Sequence, residues 1–358
     1  VDLGLVGRAN AGKTALFNLV TGSDAEVAPY PFTTREPARA MADVPDPRLD
    51  AIADVQDIPR RVAAQVQMVD IAGLAAGAGE GTGLGGAALG QLRQVDALVH
   101  VVRAFANAEV PHPEERVDPL ADAEAIDLEL MVADREQVGR RAEKAQKGAR
   151  GGDAAAKADA TALEEIAAAL DAGRPARLVE GEGARALAAE MGLLSAKPVV
   201  YLANVDEPGP VPDGLAEYAA GVGAEALALA VGMELELAAL PDDEAAQLAA
   251  DLELGDVRGG AAVVAAGYRL LDLLTFFTGS GPPEARAWPV PRGTTAEKAA
   301  GRIHSDLERG FIRAETIAWD ALVAAGSFSR AREQALLRVE GRDYVVQEGD
   351  VLQIRFNV

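Results

Sequence analysis

The chain has 358 residues, with 34 basic and 56 acidic side chains and a formal charge of −22. Its 49% hydrophobic and 25% charged content excludes a wholly disordered chain, and at roughly 100 to 200 residues per domain two or three domains are expected. The absence of cysteine excludes disulfides, thiolate zinc sites and iron–sulfur clusters, and the acidic field opposes non-specific coating of nucleic acid. Leu3 to Val6 then read as a buried strand, followed by a glycine-containing loop over 7–13 and a helix over 14–21. Apolar runs at 66–71, 97–102 and 199–203 are short and bounded by charge or glycine, as buried parallel strands are. With helix-length patterns between them, they predict a doubly wound α/β domain.

That alternation breaks over 119–196. Ile126, Leu130, Ala133, Val138, Ala142, Ala145 and Ala149 recur at helical spacing, a glycine-rich break follows at 148–152, and Leu163, Ile166 and Leu170 resume the pattern. An inserted helical hairpin that packs on itself is expected. The most apolar stretch, 261–277, carries Arg269 and Asp272, is too short to span a bilayer and reads as a core helix. After a Gly/Ser/Pro break at 279–283 a small mixed domain is expected, with a capping box at 294–297 and a closing pair of strands at 344–346 and 351–356. The expected division is 1–118 with 197–279, then 119–196, then 280–358. No secretory signal is visible at Val1-Asp2-Leu3, and a cytoplasmic monomer that binds neither membrane nor DNA is expected.

The sharpest motif is Gly7-Arg8-Ala9-Asn10-Ala11-Gly12-Lys13-Thr14, a full GxxxxGK[ST] between strand and helix. Such a loop points backbone N–H groups at phosphate oxygens, and the helix behind it adds its positive end. Lys13 neutralises β/γ charge, Thr14 offers a hydroxyl to Mg²⁺, and residues Arg8 to Ala15 are expected to bind the nucleotide. Asp70-Ile71-Ala72-Gly73 ends the run from Val66, where the carboxylate can hold Mg²⁺ through water and the Gly73 N–H can reach the γ-phosphate. Thr34, in Tyr30-Pro31-Phe32-Thr33-Thr34, offers a further metal ligand, and the glycines from Gly73 to Gly90 suit a segment that orders and disorders.

Base choice is expected from Asn204-Val205-Asp206-Glu207. Here Val205 replaces the lysine and Glu207 the aspartate of the guanine-reading Asn-Lys-x-Asp pattern, which favours adenine. His100, inside an apolar strand, reads as a satisfied core histidine. Over 134–150 six basic residues (Arg135, Arg140, Arg141, Lys144, Lys147, Arg150) face three acids. That stretch is either a positive face for rRNA phosphate or a solvated helix with internal pairs.

Together these motifs, with the closing Arg355-Phe356-Asn357-Val358, resemble the YchF or Obg-like ATPase family of P-loop NTPases, and the resemblance covers essentially the whole chain. It implies a nucleotide-binding G domain, a helical insert and a C-terminal TGS domain of β-grasp type. It also implies MgATP hydrolysis in preference to GTP and association with ribosomes, through rRNA or ribosomal proteins. By the same resemblance Leu74 stands where Ras-type GTPases carry a water-orienting glutamine, His112 in Val110-Pro111-His112-Pro113 takes over that role, and Asn10 matches a K⁺ ligand of related NTPases. Two other readings stay open at this point: an adaptor for ribosome or protein in which nucleotide is only a conformational ligand, and a GTPase of the Obg type.

Overall fold

The computed structural model describes residues 1–24, 37–71, 85–107, 110, 116–252, 259–279 and 283–357. They form two compact units, one of residues 1–42 with 67–270, the other of 43–66 with 271–358.

The first unit is built on a six-stranded sheet of order β2-β4-β1-β5-β6-β7. Its strands are β1 (Asp2–Val6), β2 (Ala38–Val44), β4 (Ala64–Asp70), β5 (Ala97–Ala104), β6 (Val199–Val205) and β7 (Glu225–Leu229). The pairs β1/β4, β1/β5, β5/β6 and β6/β7 are all parallel, so the four apolar runs read from the sequence are the central strands. The helices are α1 (Lys13–Thr21), α3 (Gly86–Leu92), α4 (Pro119–Arg150), α5 (Ala154–Asp171), α6 (Glu182–Glu190), α7 (Asp213–Gly221), α8 (Val231–Ala238), α9 (Asp242–Asp251) and α10 (Gly259–Leu270). Side chains from α3, α4 and α7 form one core with Val6, Val69, Leu98, Val102 and Tyr201. On the other face of β1, Leu3 approaches Gly267 of α10 so closely that a Cβ there would lie 2.4 Å from its methyl carbon.

The helical insert is present, but it does not begin at residue 119. Asp118 caps α4 by accepting from the Ala121 N–H at 3.0 Å, with Pro119 at the first helical position. The first turns of α4, through Ala123, Ile126 and Leu130, belong to the core of the sheet. Only from Met131 onward does the helix pack with Leu163, Ile166, Leu170 and Leu187 of α5 and α6 in a core of its own. One helix thus serves two cores. The turn expected at 148–152 is there, with Gly152 at φ 88° and Asp153 capping α5 through the Ala155 and Ala156 N–H groups.

Three acids of α4 are buried: Asp122, Asp127 and Asp134. Asp134 accepts from the Leu194 N–H (2.8 Å), the Ser195 N–H (2.7 Å) and the Ser195 hydroxyl (2.7 Å), fastening the helix to the segment that feeds β6. Burial raises its pKa above the ordinary carboxylate value, against those three donors. Asp127 accepts from the Tyr201 and Tyr218 hydroxyls and stands 3.5 Å from Nδ1 of His100. Burial acts to raise the Asp127 pKa, and the groups around it, His100 foremost, bring it below the ordinary value. His100 is therefore a core histidine as expected, but not a satisfied one: its buried Nδ1 has no hydrogen-bond partner among the described residues, Asp127 standing 3.5 Å away.

The positive character of α4 is confined to its far end. Arg135 pairs with Asp171 at 2.8 Å, Arg140 with Glu136 at 3.8 Å, and Arg141 with Asp159 at 3.1 Å. Lys144, Lys147 and Arg150 are exposed and form no ion pair among the described residues.

The second unit has α2 (Pro47–Val55), β3 (Arg61–Val62), β8 (Leu273–Thr278), β9 (Ala285–Pro291), α11 (Ala296–Ile303), α12 (Ser305–Arg309), β10 (Phe311–Ala318), α13 (Trp319–Ala325), α14 (Phe328–Glu333), β11 (Arg338–Glu340) and β12 (Asp350–Phe356). Its sheet order is β11-β10-β12-β8-β9-β3. The β8–β9 hairpin is antiparallel, β12 joins β8 in parallel and β10 antiparallel, and Ala296, Ala299 and Ala300 of α11 pack on Phe276, Val290 and Phe311. This hairpin, helix and parallel closing strand make the expected β-grasp arrangement.

Four local expectations are corrected. The stretch 261–277 is helix only to Leu270; Asp272 at φ 47° ends it, and the β-branched and aromatic Leu273–Thr278 is a strand of the second unit. That unit accordingly starts at Leu271 instead of 280, and it takes in 43–66, whose β3 pairs with β9. The Thr294 hydroxyl donates to the Pro291 carbonyl (2.6 Å) and Thr295 stands at the N-cap of α11 without a side-chain bond, so no capping box forms. Residues 344–346 make a single bridge, Thr295 to Val345, and the antiparallel partner of β12 is β10.

Candidate nucleotide site

The 7–13 loop leaves β1 and enters α1 through two glycines that no other residue could replace cheaply. Gly7 has φ 148°, and a Cβ there would lie 2.1 Å from the Val101 carbonyl oxygen. Gly12 has φ 98°, and its Cβ would lie 2.2 Å from the Asn204 amide nitrogen. Asn10, at φ 60°, takes the left-handed conformation without being glycine, one that asparagine tolerates better than most residues.

Lys13 folds back over the loop, its ammonium donating to the carbonyls of Gly7 (3.0 Å) and Arg8 (2.7 Å). Burial lowers its pKa to about 8, and the nearby Asp70 charge opposes the shift. The Thr14 hydroxyl donates to Oδ2 of Asp70 at 2.6 Å, joining two motifs 56 residues apart. Asn204 lies beneath the loop: its amide N–H donates to the Ala11 carbonyl (3.0 Å) and its oxygen accepts from the Val231 N–H (3.3 Å). It braces the loop against the start of α8.

A cleft of about 690 Å³ opens over these groups, within the size range of cofactor sites. Asn10, Gly12, Lys13, Thr14 and Ala15 form its floor, and Phe105, Val205, Asp206, Met233 and Glu236 are among its walls.

Of the residues assigned from sequence, Asn10, Gly12, Lys13, Thr14, Ala15, Asn204 and Val205 line this cleft, with Asp70 bonded to Thr14. Ala9 and Ala11 lie in the same loop without lining it, and the Arg8 side chain turns away to Asp122. Glu207 is exposed and does not line the cleft. Its neighbour Asp206 does, while accepting from the Ala106 N–H at 2.9 Å. The residue at the end of a strand that faces a ligand is set by where the strand's twist stops, which a motif alignment does not give. Thr34, Gly73 and His112 lie outside the described residues. Gly232 and Met233, at the base-side loop that the family resemblance implies over 230–234, also line the cleft, whereas Phe105, Asn107 and Glu236 carry no motif that marks them as wall residues.

Comparison with known proteins bears on the whole chain. A family model described as a 50S ribosome-binding GTPase matches residues 2–139, and YchF-GTPase_C, described as a protein of unknown function, matches 273–357. The ribosome-binding ATPase YchF of Haemophilus influenzae is 42% identical over 361 residues, covering 99% of each chain. That of Bacillus subtilis is 41% identical over 363 residues, again covering 99% of each. The chain belongs to the YchF family. Obg-like ATPase 1 of Oryza sativa subsp. japonica is 36% identical over all of this chain and 92% of its own length. The solved structure of the Schizosaccharomyces pombe YchF GTPase superposes with a TM-score of 0.86 at 31% identity, over 99% of this chain and 97% of that one. YchF membership thus extends over both units, as the sequence resemblance implied.

The residues at the floor of this YchF cleft also suit a magnesium ion. A hydroxyl and a carboxylate are hard oxygen donors, and Mg²⁺ is commonly held by one or two protein oxygens with phosphates and waters completing the shell. Among the described residues no group of three or more His, Cys, Asp and Glu gathers as an all-protein metal cage.

Proposed function

We propose that this chain hydrolyses ATP with magnesium and that its nucleotide state governs association with the ribosome. The observation that carries this reading is the contact of Thr14 with Asp70 beside Lys13, at the floor of a nucleotide-sized cleft, in a family whose members are named ribosome-binding ATPases.

In this reading the loop N–H groups and Lys13 hold the phosphates, while Thr14 directly and Asp70 through water hold the metal. The bound ion would offset charge on the β- and γ-phosphate oxygens. Thr34 and the Gly73 N–H report the γ-phosphate, and His112 positions the attacking water. Phe105 and Met233 give the base apolar walls, with Asn204, Val205 and Glu207 making up the base motif. Asn10 holds a K⁺ beside the phosphates. The exposed Lys144, Lys147 and Arg150 at the end of α4 meet rRNA phosphate. A monomer in the cytoplasm completes the reading; among the described residues no helix is long and apolar enough to cross a membrane.

Turnover assays test the chemistry. Phosphate release from ATP is expected to require magnesium, to be competed weakly by GTP, and to run several-fold faster in potassium than in sodium buffer at equal ionic strength. Stronger competition by GTP than by ATP would remove the adenine assignment, and equal rates in the two salts would remove the Asn10 site.

A further inference from the structure

The motifs leave one group of charges unexplained: the buried Asp122 and Arg103 and the partly buried Arg8 of the phosphate loop. Arg8, in the phosphate loop, points away from the cleft and places its Nε 3.2 Å from Oδ1 of Asp122, in the first turn of α4. The Asp122 side chain is 3% exposed and that of Arg8 14%. Arg103, at the end of β5, is also buried. Its guanidinium donates to the carbonyls of Phe105 (3.2 Å) and Asn107 (3.2 Å) and lies 4.4 Å from the centroid of the Phe105 ring. Phe105 and Asn107 are themselves walls of the cleft. Burial lowers the pKa of Arg103, and the charges that oppose the shift are Asp122 and then Asp206.

We infer that Asp122 is a positioning residue for nucleotide, holding the phosphate loop in place through Arg8 from the first turn of α4. The inference rests on the nucleotide reading of the cleft. A largely buried cation without a compensating acid is costly, so Arg8 keeps its place only while Asp122 stays beside it. Asp122 acts from α4, so that the first turn of the insert's helix fixes the place of the cleft floor. It does not itself line the cleft.

The sign of one substitution separates this role from a simple field effect. Removing a negative charge near a polyphosphate site should tighten anion binding if only the field matters. If Asp122 positions the loop, Asp122→Asn should weaken it.

The test is fluorescence titration of wild type, Asp122→Asn, Arg8→Met, Arg8→Lys and the Asp122→Asn/Arg8→Met double variant with a fluorescent ATP analogue and magnesium, each protein's thermal unfolding being recorded alongside. Asp122→Asn is expected to weaken binding about tenfold and Arg8→Met a few-fold, with the double variant no weaker than Asp122→Asn alone, because residues in contact couple. Arg8→Lys should stay within about twofold of wild type, since the ion pair is made at Nε, close to where a lysine ammonium reaches. Unchanged or tighter binding by Asp122→Asn, losses that multiply in the double variant, or equal behaviour of Arg8→Lys and Arg8→Met would overturn the assignment. Should Asp122→Asn fail to fold, the comparison of Arg8→Met with Arg8→Lys decides alone. Failure of wild type to bind the analogue would instead overturn the nucleotide reading itself.

Discussion

Lys13→Ala is expected to lower ATP turnover on the order of a hundredfold or more, the usual cost of removing one preorganised charge from a developing phosphoryl charge. The lysine cannot be replaced from nearby: the Arg8 side chain faces Asp122, and Arg103 is committed to the Phe105 and Asn107 carbonyls. The same side chain gives nucleotide binding a pH dependence. Burial holds the Lys13 pKa down to about 8, whereas bound phosphates favour its protonated form and raise it. Below about pH 8 the ammonium is already charged and binding takes up no proton. Above it, binding must take one up, so affinity falls as pH rises. Titrating wild type with a fluorescent ATP analogue from pH 6.5 to 9.5 should show affinity level in the acidic part and declining beyond about 8, and Lys13→Ala should lose the decline. A pH-independent affinity in wild type would contradict the burial of this lysine.

Asp134→Ala should be the most destabilising single truncation in α4. The carboxylate is completely buried and accepts three hydrogen bonds, from the Leu194 N–H, the Ser195 N–H and the Ser195 hydroxyl. Alanine would orphan all three donors, and at about 1–3 kcal/mol for each buried unsatisfied group the loss should be about 3 kcal/mol or more. Urea unfolding measures it directly; a change below about 1 kcal/mol would mean that water reaches this junction. The effect should not stop at stability. Asp134 fixes the segment that leads into β6, and β6 ends at Asn204, the brace of the phosphate loop. Nucleotide affinity should therefore weaken in the folded fraction of the variant.

The contrast between these two residues explains what the sequence made legible. Lys13, Thr14 and Asp70 were found because phosphate chemistry demands fixed residue types at fixed places, and a strand, loop and helix deliver them there whatever the rest of the chain does. Asp122, Asp127 and Asp134 were not found, because an aspartate on a helix ordinarily faces water and nothing local marks the ones that turn inward. The same limit hid the place of 43–66, whose strand β3 pairs with β9 more than 200 residues away. It also hid the break at Asp272, where apolar residues resume on the far side of the aspartate while the backbone passes from helix to strand. Asn204 is legible as part of a base motif, but that its amide also ties Ala11 to Val231 is not. Glu207 was chosen over Asp206 by counting motif positions, and the cleft is lined by the latter.

The central claim is that nucleotide at the 7–14 loop controls attachment to the ribosome. Co-sedimentation of the purified chain with ribosomes in ADP, in a non-hydrolysable ATP analogue and without nucleotide tests it most directly, with Lys13→Ala run in parallel. The pelleted fraction of wild type should differ several-fold between the ATP analogue and ADP, and that of Lys13→Ala should be the same in all three. An equal pelleted fraction of wild type in every nucleotide condition would contradict the account and leave the chain a ribosome adaptor indifferent to its nucleotide.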